Sequence, residues 1–475
     1  MFGRFFVPLR NPLLGLKNRR TISSLSVLLA VVLIFSACSG ASDSKDGGGR
    51  GSYDVCVSFD GERLVGSSEY TLCEKDCKAK EQTFAFYPAV LAEKAAVTGV
   101  YLNGEKLEST IERSGEKDEF VEVGAGGGRS FSAGDKIKFD FEMTLKKCGG
   151  RLGITDKVVN FAAFYPMKCP VRGGECLKRP YAEFGDPFSF DFADYDVTLS
   201  VPSDFSVACG MTALKCDQSG RETTYVYGGK NLLRFAFSAS EFFNVVAKKS
   251  GNRSINYYYY LDETPEKTLS EVVNALDYFS RFLGDYAYRS LSFAQSPYDT
   301  GGMEYSGFFV LGENKDEKKY ILASIHETAH QWFPIAVCSD EYERACFDEG
   351  LAEFLTLDYV RSVDSAYADK LVADARGSYE GYKKSCLLVG KKPSEKFNMP
   401  LDEYASAYEY VACAYSASML AFDSASSEIG RKAFFSALSA FYKKYKFKNA
   451  DSSDFFSCFS VFKRERVKKI LKKYV

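Results

Sequence analysis

Apolar and polar residues alternate in short runs from Tyr53 to about Lys249. The segments KIKFDFEM (136–143), YDVTLSVP (195–202), TTYVYGG (223–229) and LLRFAFSA (232–239) send every second side chain to one face, and Gly, Pro, Asn and Asp clusters separate them. A period of two bounded by turn residues predicts half-buried strands. INYYYYL (255–261) adds one more, and then the period changes. Leu269, Val272, Val273, Leu276 and Phe279 recur at three- and four-residue spacings, which predicts a helix over 265–283. A second helix is expected over 319–333, where Tyr320, Ile321, Leu322, Ala323 and Ile325 supply the apolar positions and Pro334 ends the run. Beyond it the pattern is mainly helical up to the basic, amphipathic VFKRERVKKILKKYV. The fold class expected is α+β: an N-terminal β-rich, sandwich-like domain over 53–250, then a mainly helical domain over 251–475.

The first 52 residues follow neither period. Lys17, Arg19 and Arg20 precede SSLSVLLAVVLIFSA (23–37), an apolar stretch too short for a comfortable membrane span, and Cys38 follows the small residues Ser36 and Ala37. This resembles the lipobox of bacterial lipoproteins, with Phe35 in place of the usual leucine. The resemblance implies a signal peptide over 1–38 and lipidation of Cys38. It also implies an exported protein, anchored to the bacterial cell membrane and facing its extracytoplasmic side. The Gly/Ser-rich stretch 39–52 would then be a flexible tether. An ordinary secretory signal is the alternative.

Composition narrows the partners. With 61 basic and 63 acidic residues the net charge is −2, so no nucleic-acid footprint is visible and no such partner is expected. Fourteen cysteines suit an exported chain. Close pairs such as Cys169 and Cys176, Cys209 and Cys216, or Cys338 and Cys346 could bridge locally, or the thiols stay free. CEKDC (73–77) lacks the second pair that a thiolate zinc site needs.

The chain has two histidines, and both lie in SIHETAHQWF (324–333). His326 and His330 are one helical turn apart, so they share a face and can hold one metal ion, with Glu327 beside them to handle a proton. A catalytic zinc site takes three protein ligands and an open position. No third histidine exists, so the last ligand must be a carboxylate or thiolate. Glu349 and Glu353, one turn apart in CFDEGLAEFLTLDYV, begin the next predicted helix, and eighteen residues separate His330 from Glu349.

H-E-x-x-H followed at that distance by Glu within DEGLAEF resembles the gluzincin aminopeptidase family of aminopeptidase N and leukotriene hydrolase. The resemblance implies a thermolysin-like catalytic domain over 251–475 with one Zn2+ per chain on His326, His330 and Glu349, and Glu327 as the base. The family's G-x-M-E-N is matched by GGMEY, Gly301, Gly302, Met303, Glu304 and Tyr305, with Tyr305 replacing Asn. By the same resemblance Glu304 would bind the free α-amine of a peptide substrate. Tyr415 would donate to the oxyanion, and Tyr410 would be a second pocket tyrosine. Ser416, Ala417 and Ser418 stand where the family has Lys-Gly. The chain ends soon after the catalytic pattern, which implies a short member with an open cleft. No second amine-binding acid is evident in the β-rich part. The reading is a zinc aminopeptidase acting on extracellular peptides with a free N-terminus. An endopeptidase on the same scaffold, or an idle peptide-binding lipoprotein, is the alternative.

Overall fold

Strand Lys136–Thr144 shows how the pattern becomes structure: Ile137, Phe139, Phe141 and Met143 are buried while the residues between them are not. The computed structural model describes residues 49–107, 111–394 and 398–471. The signal-peptide and lipidation expectations therefore lie outside the described residues. The tether expectation overlaps them only at 49–52. Those residues are already docked: Arg50 donates to the Phe447 carbonyl at 3.2 Å, and Ser52 opens the first strand, Ser52–Phe59.

In the N-terminal half an eight-stranded sheet runs, in spatial order, Ala213–Ser219, Glu222–Leu232, Ala193–Pro202, Ser52–Phe59, Arg63–Thr71, Lys136–Thr144, Lys94–Leu102 and Glu105–Lys106. Two four-stranded sheets and a two-stranded one, Val171–Arg172 with Glu175–Cys176, complete this half. Aromatic side chains fill the core between them, with Tyr53 stacked on Tyr195 and Phe161 on Phe237. Such rings bury large apolar area at low entropic cost. The strand expected over 232–239 is interrupted: Glu222–Leu232 ends just after Asn231 (φ +58°), and pairing resumes only at Phe237–Ser240. The residues between carry Arg234 inward, toward the site.

A five-stranded sheet opens the second half, in the order Asn244–Ser250, Arg253–Tyr259, Ser290–Ser296, Phe308–Gly312, Gly302–Tyr305. Its last strand is an antiparallel edge on parallel neighbours. Helix Pro265–Leu283 covers it with Leu269, Val272, Val273, Leu276 and Phe279 buried, as the spacing predicts. Helices Glu317–His330, Leu351–Val363, Ser365–Leu388, Ser418–Ile429, Arg431–Tyr445 and Val461–Leu471 follow. Gly47–Val475 form one compact unit, so both halves share a single body. Among the described residues no helix is long and apolar enough to cross a membrane.

The thirteen described cysteines are all thiols. Cys209 is buried in one sheet while Cys216 is exposed on the edge of another. Cys338 donates to the Ser339 carbonyl, and Cys346 to Asn398 Oδ1, both at 3.0 Å. None of the local pairs suggested by spacing is joined.

Candidate metal centre and active site

The histidine helix, Glu317–His330, starts two residues before the predicted point because Asp316 caps it, accepting from the backbone N–H of Lys318 (3.0 Å) and Lys319 (3.3 Å). At its other end both imidazoles leave one face. His326 Nε2 and His330 Nε2 are 2.9 Å apart, and Glu349 Oε2 lies 3.2 Å from the first and 3.3 Å from the second. Metal–ligand bonds of about 2.0–2.2 Å at a tetrahedral angle would separate ligand atoms by about 3.4 Å. The observed triangle is close to that.

The second nitrogens show why a cation fits. His330 Nδ1 faces the Phe333 carbonyl at 3.1 Å and Asp348 Oδ1 at 3.0 Å, and His326 Nδ1 lies 3.1 Å from Glu353 Oε1. With protons on Nδ1, both Nε2 atoms turn lone pairs toward each other and toward a carboxylate oxygen. Three acceptors converging in a buried pocket call for positive charge. The titration tendencies agree. Burial and His330 work to lower His326, yet Glu349 and Glu353 lift it to about 10. Burial would raise Glu349, yet the two histidines hold it well below the usual carboxylate range. Two imidazoles and a carboxylate are a donor set suited to zinc.

Glu349 does not sit in the first turn of an ordinary helix, as the spacing suggested. It lies in a wide, π-type turn, Cys346–Gly350, that runs into helix Leu351–Val363. A second wide turn, Val411–Ala417, carries Tyr415 and runs into Ser418–Ile429. Such turns redirect side chains within a helix. The two meet at Gly350, where an added Cβ would stand 2.5 Å from Ser418 Cβ and 3.3 Å from the Ala414 carbonyl oxygen. Glycine on one side and small residues at 414, 417 and 418 on the other permit this approach. It brings the Tyr415 hydroxyl to Glu349 Oε1, to which it donates at 2.5 Å, leaving Oε2 for the histidines. The Tyr410 hydroxyl is buried near Gly185 and has no hydrogen-bond partner among the described residues.

Period-two alternation sorts the residues of GGMEY. Gly302 and Glu304 face the histidine helix. A Cβ on Gly302 would lie 2.3 Å from Glu327 Oε1, and Glu304, Glu327 and His330 have ligand atoms within 4.8 Å of one another. Met303 and Tyr305 turn away into the β-rich core, where the Tyr305 ring stacks on Phe308. Gly301 is exposed and meets nothing. The Glu327 carboxyl is pushed up to about 7 by burial, against the pull of both histidines, and its Oε2 has no hydrogen-bond partner among the described residues.

The structure also brings in residues that sequence reasoning missed. Arg234 donates to Glu341 (3.0 and 3.2 Å) and to Glu304 Oε1 (3.0 Å), and all three are buried. Asp186, from the β-rich half, has an oxygen within 4.8 Å of ligand atoms on Glu304 and Asp348, and Arg151 pairs with it at 2.5 Å. An acid from that half does reach the site. No local spacing announces Asp186 or Arg234. Asp348 and Glu353 are different, since they flank Glu349 at one and four residues.

A β-rich half packed on a sheet-and-helix half that carries H-E-x-x-H and a later glutamate defines a two-domain metallopeptidase fold of the gluzincin kind. Residues 268–474 match the model of the Peptidase family M1 domain. The chain is similar to glutamyl aminopeptidase of Homo sapiens, 22% identical over 301 residues, which are 59% of this chain and 31% of that protein. The chain thus spans under a third of that curated relative. Among solved structures, the M1 zinc metallopeptidase of Deinococcus radiodurans is 16% identical with a TM-score of 0.64, covering 89% of this chain and 94% of that one. A mutant of that enzyme bound to a Tyr-Ser-Ala substrate gives a TM-score of 0.65 at 15% identity, covering 90% and 96%. Across both halves the fold is that of the two-domain M1 metallopeptidases.

Proposed function

We propose that the chain is a zinc-dependent aminopeptidase that removes N-terminal residues from extracellular peptides. One observation carries the reading. His326 Nε2, His330 Nε2 and Glu349 Oε2 converge within 3.3 Å, beside a buried Glu327 whose Oε2 lacks a hydrogen-bond partner among the described residues. Those three ligands would hold zinc, which when bound supplies an acidified water and a polarised scissile carbonyl. Glu327 accepts the proton of the attacking water and returns it to the leaving amine. The Tyr415 hydroxyl, close enough to donate to Glu349, turns its hydrogen bond to the developing oxyanion. Glu304 faces the same space from the edge strand and would take the substrate ammonium, with Asp186 adding negative charge from the β-rich half. An internal peptide bond offers no ammonium, so this pairing gives exopeptidase character.

The test uses Gly47–Val475 with added zinc on free-amine aminoacyl amides and an N-acetylated peptide, with Glu327→Gln as control. Cleavage restricted to the free-amine substrates and lost in the control supports the reading. Equal cleavage of the acetylated peptide would make it an endopeptidase, and no cleavage with zinc bound would make it a peptide-binding protein. The lipobox resemblance supports placing this activity on a membrane-anchored, exported protein. Replacing Cys38 by Ala should then abolish incorporation of labelled fatty acid into the full-length protein.

A further inference from the structure

At the end of the outer helix Ser365–Leu388, three consecutive apolar side chains stand in water. Leu387, Leu388 and Val389 are 66%, 86% and 69% exposed. The tip that presents them is fixed. The Tyr382 hydroxyl donates to the Glu409 carboxylate and accepts from the Ser394 backbone N–H at 2.9 Å. Gly390 (φ +71°) closes the helix, with its N–H on the Leu387 carbonyl (3.1 Å) and the Lys391 N–H on that of Cys386 (2.9 Å). A frayed end would owe its exposure to disorder, and this end is capped and held.

Four lysines flank the apolar triplet. Lys383 pairs with Glu380, while Lys384, Lys391 and Lys392 are exposed and have no ion pair among the described residues. The chain as a whole is slightly acidic, so the tip departs from the average charge. Apolar side chains ringed by ammonium groups on long stems match one environment well: the interface of an anionic bilayer. There the apolar groups enter the acyl boundary and the ammonium groups stay among the phosphates. A second copy fits poorly, because two such tips would bring like charges together.

We propose that residues 383–392 are a membrane-docking tip that inserts Leu387, Leu388 and Val389 into an anionic lipid surface. It acts independently of any lipid on Cys38 and of the peptidase reading. Docking at this point would orient the catalytic body on the membrane surface.

The compact unit Gly47–Val475, which lacks Cys38, is sedimented with vesicles of phosphatidylcholine alone or mixed with phosphatidylglycerol. Binding is expected to the mixed vesicles, weakened by salt. Leu388→Asp should lower the partition coefficient about tenfold, and Lys391→Glu with Lys392→Glu should lower it about tenfold again. Both variants should keep the wild-type melting temperature and the wild-type kcat/KM on soluble peptides. Failure of the wild type to bind the mixed vesicles overturns the proposal, as does equal binding by Leu388→Asp. Self-association of the wild type that Leu388→Asp relieves, without lipid binding, would assign the tip to a second copy. Loss of activity on soluble peptides with unchanged partition would assign it to the substrate cleft.

Discussion

Gly302→Ala isolates the placement of the general base from everything else in the site. The added methyl carbon would lie 2.3 Å from Glu327 Oε1, 2.6 Å from its Cδ and 2.8 Å from its Cγ. Contact distances of about 3.5 Å between such atoms require the carboxylate to retreat by about 1 Å. A misplacement of that size in a reacting group costs about 10²-fold in rate. The fold should barely register the change. The atoms that must move are the end of one flexible side chain, and Gly302 does not occupy the left-handed region that favours glycine. His326, His330 and Glu349 are untouched, so zinc content should stay at one per chain. The assay is kcat and KM on an aminoacyl amide, beside a thermal melt and metal analysis of the same preparation. The expected result is a fall of about 10² in kcat with a stability change under about 1 kcal/mol. A variant with stoichiometric zinc and a rate within about threefold of wild type would refute the alignment of Glu327 by the edge strand.

Glu327→Gln should keep zinc and lose about 10²–10⁴ in kcat, read by steady-state kinetics with metal analysis. Tyr415→Phe should lose about 10²–10³ in kcat with little change in KM, since its hydrogen bond counts in the transition state. Stripping the metal with a chelator should abolish activity and lower the melting temperature, because three acceptors are then left facing one another; adding zinc should reverse both. Arg234→Met leaves Glu304 and Glu341 buried without their shared cation and should destabilise the protein by about 3–5 kcal/mol in a denaturant titration.

What the sequence reveals of this molecule depends on the distance over which each feature is encoded. Helix Pro265–Leu283 and strand Lys136–Thr144 carry their period in consecutive residues, and both match the pattern closely. The pairing of His326 with His330 needs only one helical turn, and Glu349 and Glu353 follow from the next predicted helix. The residues that complete the pocket come from farther away. Arg234 is 70 residues from Glu304 and 107 from Glu341, and Arg151 and Asp186 approach from the other half of the chain. Nothing local distinguishes them from surface charges. Arg234 even sits inside LLRFAFSA, where alternation predicts a strand that the structure breaks in order to bury the guanidinium. The two wide turns are equally silent, since no residue type demands them.

Those turns set an unusual limit on how this chain can change. Each winds more residues into its span than an ordinary helical turn would. Removing one residue from Cys346–Gly350 would restore regular winding and rotate Glu349 by about 100° relative to the helix behind it. All three ligand side chains would remain, yet the carboxylate would no longer point at His326 and His330. The constraint is written in length and not in residue identity. Substitution scanning would pass over it, whereas a scan of single-residue deletions and insertions would find it as a narrow band of complete loss around residues 346–350 and 411–417.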